Sequence, residues 1–64
     1  APPMTPRELD VLCLLSEGWS AQSISRRLGI RPATVRKHLE HVYAKLGTSD
    51  RLSAVNRARS LGLL

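Results

Sequence analysis

The segment from Pro32 to Leu46 carries two stripes on one predicted helix: Val35, Leu39, Val42 and Leu46 on one side, Ala33, Arg36, Lys37, Glu40 and Ala44 on the other. At about 100° per residue the four apolar side chains fall within a narrow arc and the second set lies roughly opposite. One face is therefore patterned to bury and the other to meet something polar. Just before this segment a shorter helical pattern ends in Leu28-Gly29-Ile30. Two helices meeting at a sharp glycine-containing turn are the sequence form of a helix-turn-helix.

The flanking residues supply two more helices. Thr5 offers an N-cap with Pro6 at the first helical position and Glu8 three residues after the cap, a Thr-x-x-Glu capping box with Met4 and Leu9 as its hydrophobic staple. The first helix is expected from about Pro6 to Glu17, with Leu9, Leu12, Cys13 and Leu15 inward, stopped by Gly18, after which Trp19 folds back on Leu14. Ser20 caps the second helix, where Ile24 and Leu28 share a face and Ser25 is small enough to admit a neighbour. Arg31 occupies the cap position of the third helix, where Ser, Thr, Asp or Asn is expected, and Pro32 follows at its first position. Gly47 ends that helix. Asp50 caps a fourth from about Arg51 to Leu61, closed by Gly62, with Ala54, Ala58 and Leu61 on one side and Val55 and Leu52 turning around it. Ala1, Pro2 and Pro3 cannot start a helix. Residues 1–4 read as the end of an interdomain linker and residues 5–64 as one all-α, four-helix domain.

The 64-residue chain has little core, and its single cysteine and the absence of zinc-spaced His and Cys leave neither a disulfide scaffold nor a structural metal to reinforce it. His38 and His41 stand three apart, but no Cys, Asp or third His joins them on that helix, so no metal or other cofactor is expected. The charge is unevenly placed. Residues 1–18 hold Arg7 against Glu8, Asp10 and Glu17, a balance of −2, while residues 19–64 hold nine Lys or Arg against Glu40 and Asp50, a balance of +7. A basic surface on the helix-turn-helix side attracts phosphate backbones, and with no large apolar face beside it nucleic acid is favoured over membrane. With no membrane-length apolar run and no signal segment, the cytoplasm is the expected compartment. Paired acids and bases in a cleft, a Gly-rich phosphate loop and a metal set are all missing, so no enzyme is expected.

Several short strings in order resemble the DNA-binding domain of the LuxR family, also called the NarL/FixJ or GerE type. Met4-Thr5-Pro6-Arg7-Glu8 resembles the family's opening Leu-Thr-Pro-Arg-Glu, and Glu17-Gly18-Trp19-Ser20 its Glu/Gln-Gly-apolar-Ser turn. Ala33-Thr34-Val35-Arg36-Lys37-His38-Leu39 resembles its Thr-Val-Lys/Arg-x-His-apolar core, and Lys45-Leu46-Gly47 and Arg51 with Ala54-Val55 its last turn and fourth helix. The resemblance implies the output domain of a bacterial transcription regulator, such as a response regulator, with the third helix in the major groove of double-stranded DNA. It further implies a homodimer on DNA through the fourth helix, and RNA polymerase as a further candidate partner. Three departures stand out: Ser23 where the family usually has Glu, Arg31 where it has Ser or Thr, and Thr48 where an apolar residue is common.

On this reading Arg36 and Lys37, in the N-terminal half of the third helix, are candidates for base contact together with Glu40 and Ala33, against the plainer reading of a solvated basic face. Thr34, His41 and Lys45 on the flank, with Arg31, Ser20 and Gln22, are candidates for phosphate contact. Ala54, Val55, Ala58 and Leu61 are the candidate dimer surface. His38, at the shoulder of the apolar stripe, reads as a partly buried residue, Cys13 as a small core residue, Trp19 as a packing anchor and Glu8 as a capping partner. Two alternatives stay open: a helical module that binds an acidic protein surface, and a promoter-recognition fragment of a sigma-like factor.

Overall fold

The computed structural model describes residues 3–64; the first part of the expected linker, Ala1 and Pro2, lies outside the described residues. Four helices follow in chain order, α1 (Pro6–Ser16), α2 (Ala21–Leu28), α3 (Pro32–Leu46) and α4 (Arg51–Ser60), with no strand among the described residues. α1 begins with the full capping box: the Glu8 amide donates to Thr5 Oγ1 at 3.2 Å and the Thr5 amide to Glu8 Oε1 at 3.0 Å. Ser20 and Asp50 accept from the Ser23 and Ser53 amides at the starts of α2 and α4. Gly29 and Gly47 sit at φ +68°, which lets the chain reverse sharply after α2 and α3. After Gly47 the Thr48 amide returns to the Tyr43 carbonyl at 2.9 Å, closing the last turn.

α3 packs against α1, α2 and α4, and is the element around which the others are arranged. The core has two parts. Val11 and Leu15 of α1 meet Ile24 of α2 and Val35 of α3, with Leu28, Ile30, Leu39 and Trp19 half-buried around them. Leu12 of α1 meets Val42 and Leu46 of α3 and Ala54 and Ala58 of α4, with Met4 and Leu63 packed on its edge. Tyr43 touches both.

Two expectations are corrected here. Cys13 is exposed. The buried stripe of α1 is Glu8, Val11, Leu12 and Leu15, the i, i+3, i+4, i+7 set of one helix face; Cys13 lies one step around from Leu12 and so turns outward. Ala54 and Ala58 are fully buried inside the protein's own core and Val55 nearly so. With so few large side chains available, the alanine side of α4 is consumed in covering Leu12, Val42 and Leu46, so Ala54 and Ala58 present no surface to a second copy. What α4 leaves outside is Leu52, 70% exposed, and, just past its end, Leu61, 40% exposed.

Candidate nucleic-acid interface

Because Val35, Val42 and Leu46 are drawn into the core, the opposite face of α3 is forced outward. Ala33, Thr34, Arg36, Lys37, Glu40 and His41 are all exposed along it, while His38 is half-buried at the shoulder. Among the described residues Arg36, Lys37 and Glu40 form no ion pair. Both cations of this face are thus unneutralised, and Glu40 does not orient either of them in the free protein. Arg31 is exposed at the α2–α3 turn and makes no cap hydrogen bond, leaving the first amides of α3 without a side-chain acceptor. Gln22 is exposed on the first turn of α2. Ser20 is exposed too, but its hydroxyl is occupied, accepting from the Ser23 amide at 3.1 Å and donating to Ser23 Oγ at 3.0 Å.

Lys45 is not with this set. Its ammonium lies 2.6 Å from Glu8 Oε1 and donates to the Pro3 carbonyl at 3.0 Å, so it faces α1 and the entering peptide. Glu8, expected to act only as a capping partner, is 3% exposed and serves two helices at once. His41 Nδ1 stands 3.6 Å from its other oxygen, Oε2. The Lys45 hydrogen bond first, and then that of the Thr5 amide, holds the Glu8 carboxyl below its ordinary value, against the opposing effect of burial. Nothing in local spacing announces a bond between residues 37 apart, although Glu8 does continue the Val11, Leu12, Leu15 stripe.

A second junction holds the start of α2. Trp19, half-buried, carries the Arg27 guanidinium 5.9 Å from its ring centroid, and its carbonyl accepts from Arg51 Nη2 at 2.5 Å. A groove of about 540 Å³ runs beside it, between the end of α1 and α4, lined by Leu15, Gly18, Arg51, Leu52, Val55 and Arg59. Among the described residues no group of three His, Cys, Asp or Glu could share a metal ion. No described helix is long and apolar enough to cross a membrane.

A scaffold that fixes one helix on three others is shared with known proteins. Residues 2–58 match the family model described as bacterial regulatory proteins, luxR family. The chain is 49% identical over 59 residues to a protein of Mycobacterium bovis named as an HTH-type transcriptional regulator, covering 92% of this chain and 7% of that one. It is 41% identical over its whole length to a Mycobacterium tuberculosis transcriptional regulatory protein named NarL, of which it covers 30%. Among solved structures, the response regulator ChrA of a heme-sensing two-component system superposes with a TM-score of 0.95 at 36% identity, over 100% of this chain and 32% of that one. The chain thus spans less than a third of the relatives it matches. Its sequence and its fold agree: this is a helix-turn-helix domain belonging to the luxR family of bacterial regulatory proteins.

Proposed function

We propose that the domain binds double-stranded DNA sequence-specifically, as the output module of a bacterial transcription regulator working in the cytoplasm. The observation that carries this is the outward face of α3, where Arg36 and Lys37 stand exposed and unpaired on a helix whose other side is locked into the core. A guanidinium or ammonium so held is presented in a fixed direction, as bidentate contact with guanine O6 and N7 requires. Ala33 permits close approach of the helix start, and Glu40 is able to accept from a cytosine amino group. Arg31, Thr34, His41 and Gln22 flank this face and suit phosphate; Ser20 retains an acceptor lone pair but its proton is committed to Ser23.

Two copies on two half-sites follow the same reading, meeting through what α4 leaves exposed, Leu52 and Leu61 with the rim of the adjacent groove. One short helix from each copy buries less than about 1,200 Å², the range of transient contacts, so the dimer forms on DNA. RNA polymerase is a further partner for a regulator so bound.

Titration of a labelled duplex at several salt concentrations tests the reading. A log-log slope that steepens by roughly 0.9 for each phosphate contact is expected. A flat response, with equal affinity for duplex and for an acidic protein, would overturn it in favour of a protein-interaction module.

A further inference from the structure

We propose that Lys45 is a positioning residue that couples the peptide entering the domain to the reading helix, and is not a phosphate contact; the inference rests on the DNA-binding reading above. Three anchors hold residues 3–5. The Pro3 carbonyl accepts from Lys45 Nζ at 3.0 Å, the Met4 side chain packs on the cluster of Leu12, Val42 and Leu46, and the Thr5 amide donates to Glu8 Oε1 at 3.0 Å. Lys45 Nζ lies 2.6 Å from that same oxygen. One carboxylate oxygen and one ammonium therefore join the entering peptide, the start of α1 and the last turn of α3.

For Lys45 to reach a phosphate instead, it would have to abandon a carboxylate that is only 3% exposed. Glu8 would then keep only the Thr5 amide and the more distant His41 ring, and a buried charge stripped of its main partner is costly. A single exposed phosphate contact does not offset that. Lys45 stays on Glu8 when DNA binds, and a displacement of Pro3 reaches α3 through it. Coupling of this kind is reciprocal: a ligand on α3 must be felt at Pro3, Met4 and Thr5, away from the outward face.

Amide NMR spectra of the domain with and without a bound duplex, combined with binding at several salt concentrations, test this in wild type, Lys45→Gln and Lys45→Arg. Expected are duplex-induced shifts at the Met4 and Thr5 amides of wild type that vanish in Lys45→Gln and are retained in Lys45→Arg. Affinity of Lys45→Gln should fall about fivefold, at the low end of coupling between sites, with a salt line parallel to wild type. A Lys45→Gln slope shallower by roughly 0.9 would make Lys45 a phosphate contact and overturn the proposal. So would Met4 and Thr5 amides that ignore DNA in wild type, a result that needs no variant to fold. Failure of wild type to bind any duplex would remove the functional reading itself and the coupling with it. That case is recognisable because the free-protein Met4 and Thr5 amides would still differ between wild type and Lys45→Gln.

Discussion

Glu8 shows how one side chain can decide the pH range in which so small a domain survives. Its carboxyl is held below the ordinary 4.5, chiefly by the Lys45 hydrogen bond and next by the Thr5 amide. An unfolded chain at pH just below 4.5 therefore takes up a proton that the folded chain does not. The stability contributed by this group is complete above 4.5 and is lost as pH falls below it, through the lowered folded value. Urea midpoints measured from pH 7 down to pH 3 should fall on the acid side, and Glu8→Gln should begin lower at pH 7 and lose less on acidification. Asp50, held below its ordinary 3.8 by the Ser53 amide, adds a loss of the same sign at lower pH that survives the substitution. Because Lys45 remains a quarter exposed, Glu8→Ala should cost about 3 kcal/mol, the lower end for breaking a buried pair. Thr48 is the opposite case: its hydroxyl oxygen is buried and has no hydrogen-bond partner among the described residues. Thr48→Val keeps the shape and removes the unpaired group, so it should stabilise the domain by about 1 kcal/mol. For a domain of this size that is a rise in Tm of about 4–8 °C, readable by thermal circular dichroism.

At the scale of the element, α3 starts without a side-chain cap and presents an open basic face. Arg31→Ser should supply the missing cap and gain about 1 kcal/mol, while removing a cation from the α2–α3 turn; weaker binding to all duplexes by one salt-slope contact would mark Arg31 as a phosphate ligand. Along the outward face, alanine at whichever of Arg36 and Lys37 reads a base should cost about 1–3 kcal/mol on the preferred site and little on random DNA. Glu40 makes no ion pair in the free protein, so a binding-site selection with Glu40→Ala is expected to lose discrimination at one base pair; unchanged preferences at every position would reduce Glu40 to a repulsive rim charge. Helix limits were legible because capping residues, Pro6, Pro32 and four glycines punctuate the chain. The inward side of α1 was misjudged because Val11 and Cys13 are both small and apolar, and only the exact phase of a short helix separates them. The contact that Lys45 makes in the free protein was hidden for a different reason. The position of Lys45 on the flank of α3 is readable from periodicity, but the partner that turns it toward α1 lies at the other end of the chain.

For the molecule as a whole, two small aliphatic clusters share α1 and α3 and are bridged by Tyr43, so little apolar surface remains for association. From the sequence the alanines of α4 read as candidate dimer surface because a one-helix view cannot count how much cover Leu12, Val42 and Leu46 need. A glutamate at Ala58 would therefore test folding, not dimerisation. Leu52→Glu is the informative change: at 70% exposure it should alter stability by less than about 0.5 kcal/mol. Binding to a two-half-site duplex should nonetheless weaken about tenfold, with a single half-site unaffected; equal losses on both would remove α4 from the dimer. The junction at Trp19 has a practical corollary. It is the chain's single tryptophan, tied to α2 through Arg27 above its ring and to α4 through Arg51 on its carbonyl, whereas the outward stripe of α3 carries no aromatic ring. Its emission is consequently a built-in gauge of whether the helices are assembled, shifting to the red when they part, so a fluorescence record of each variant without DNA shows whether a loss of binding is a loss of the fold.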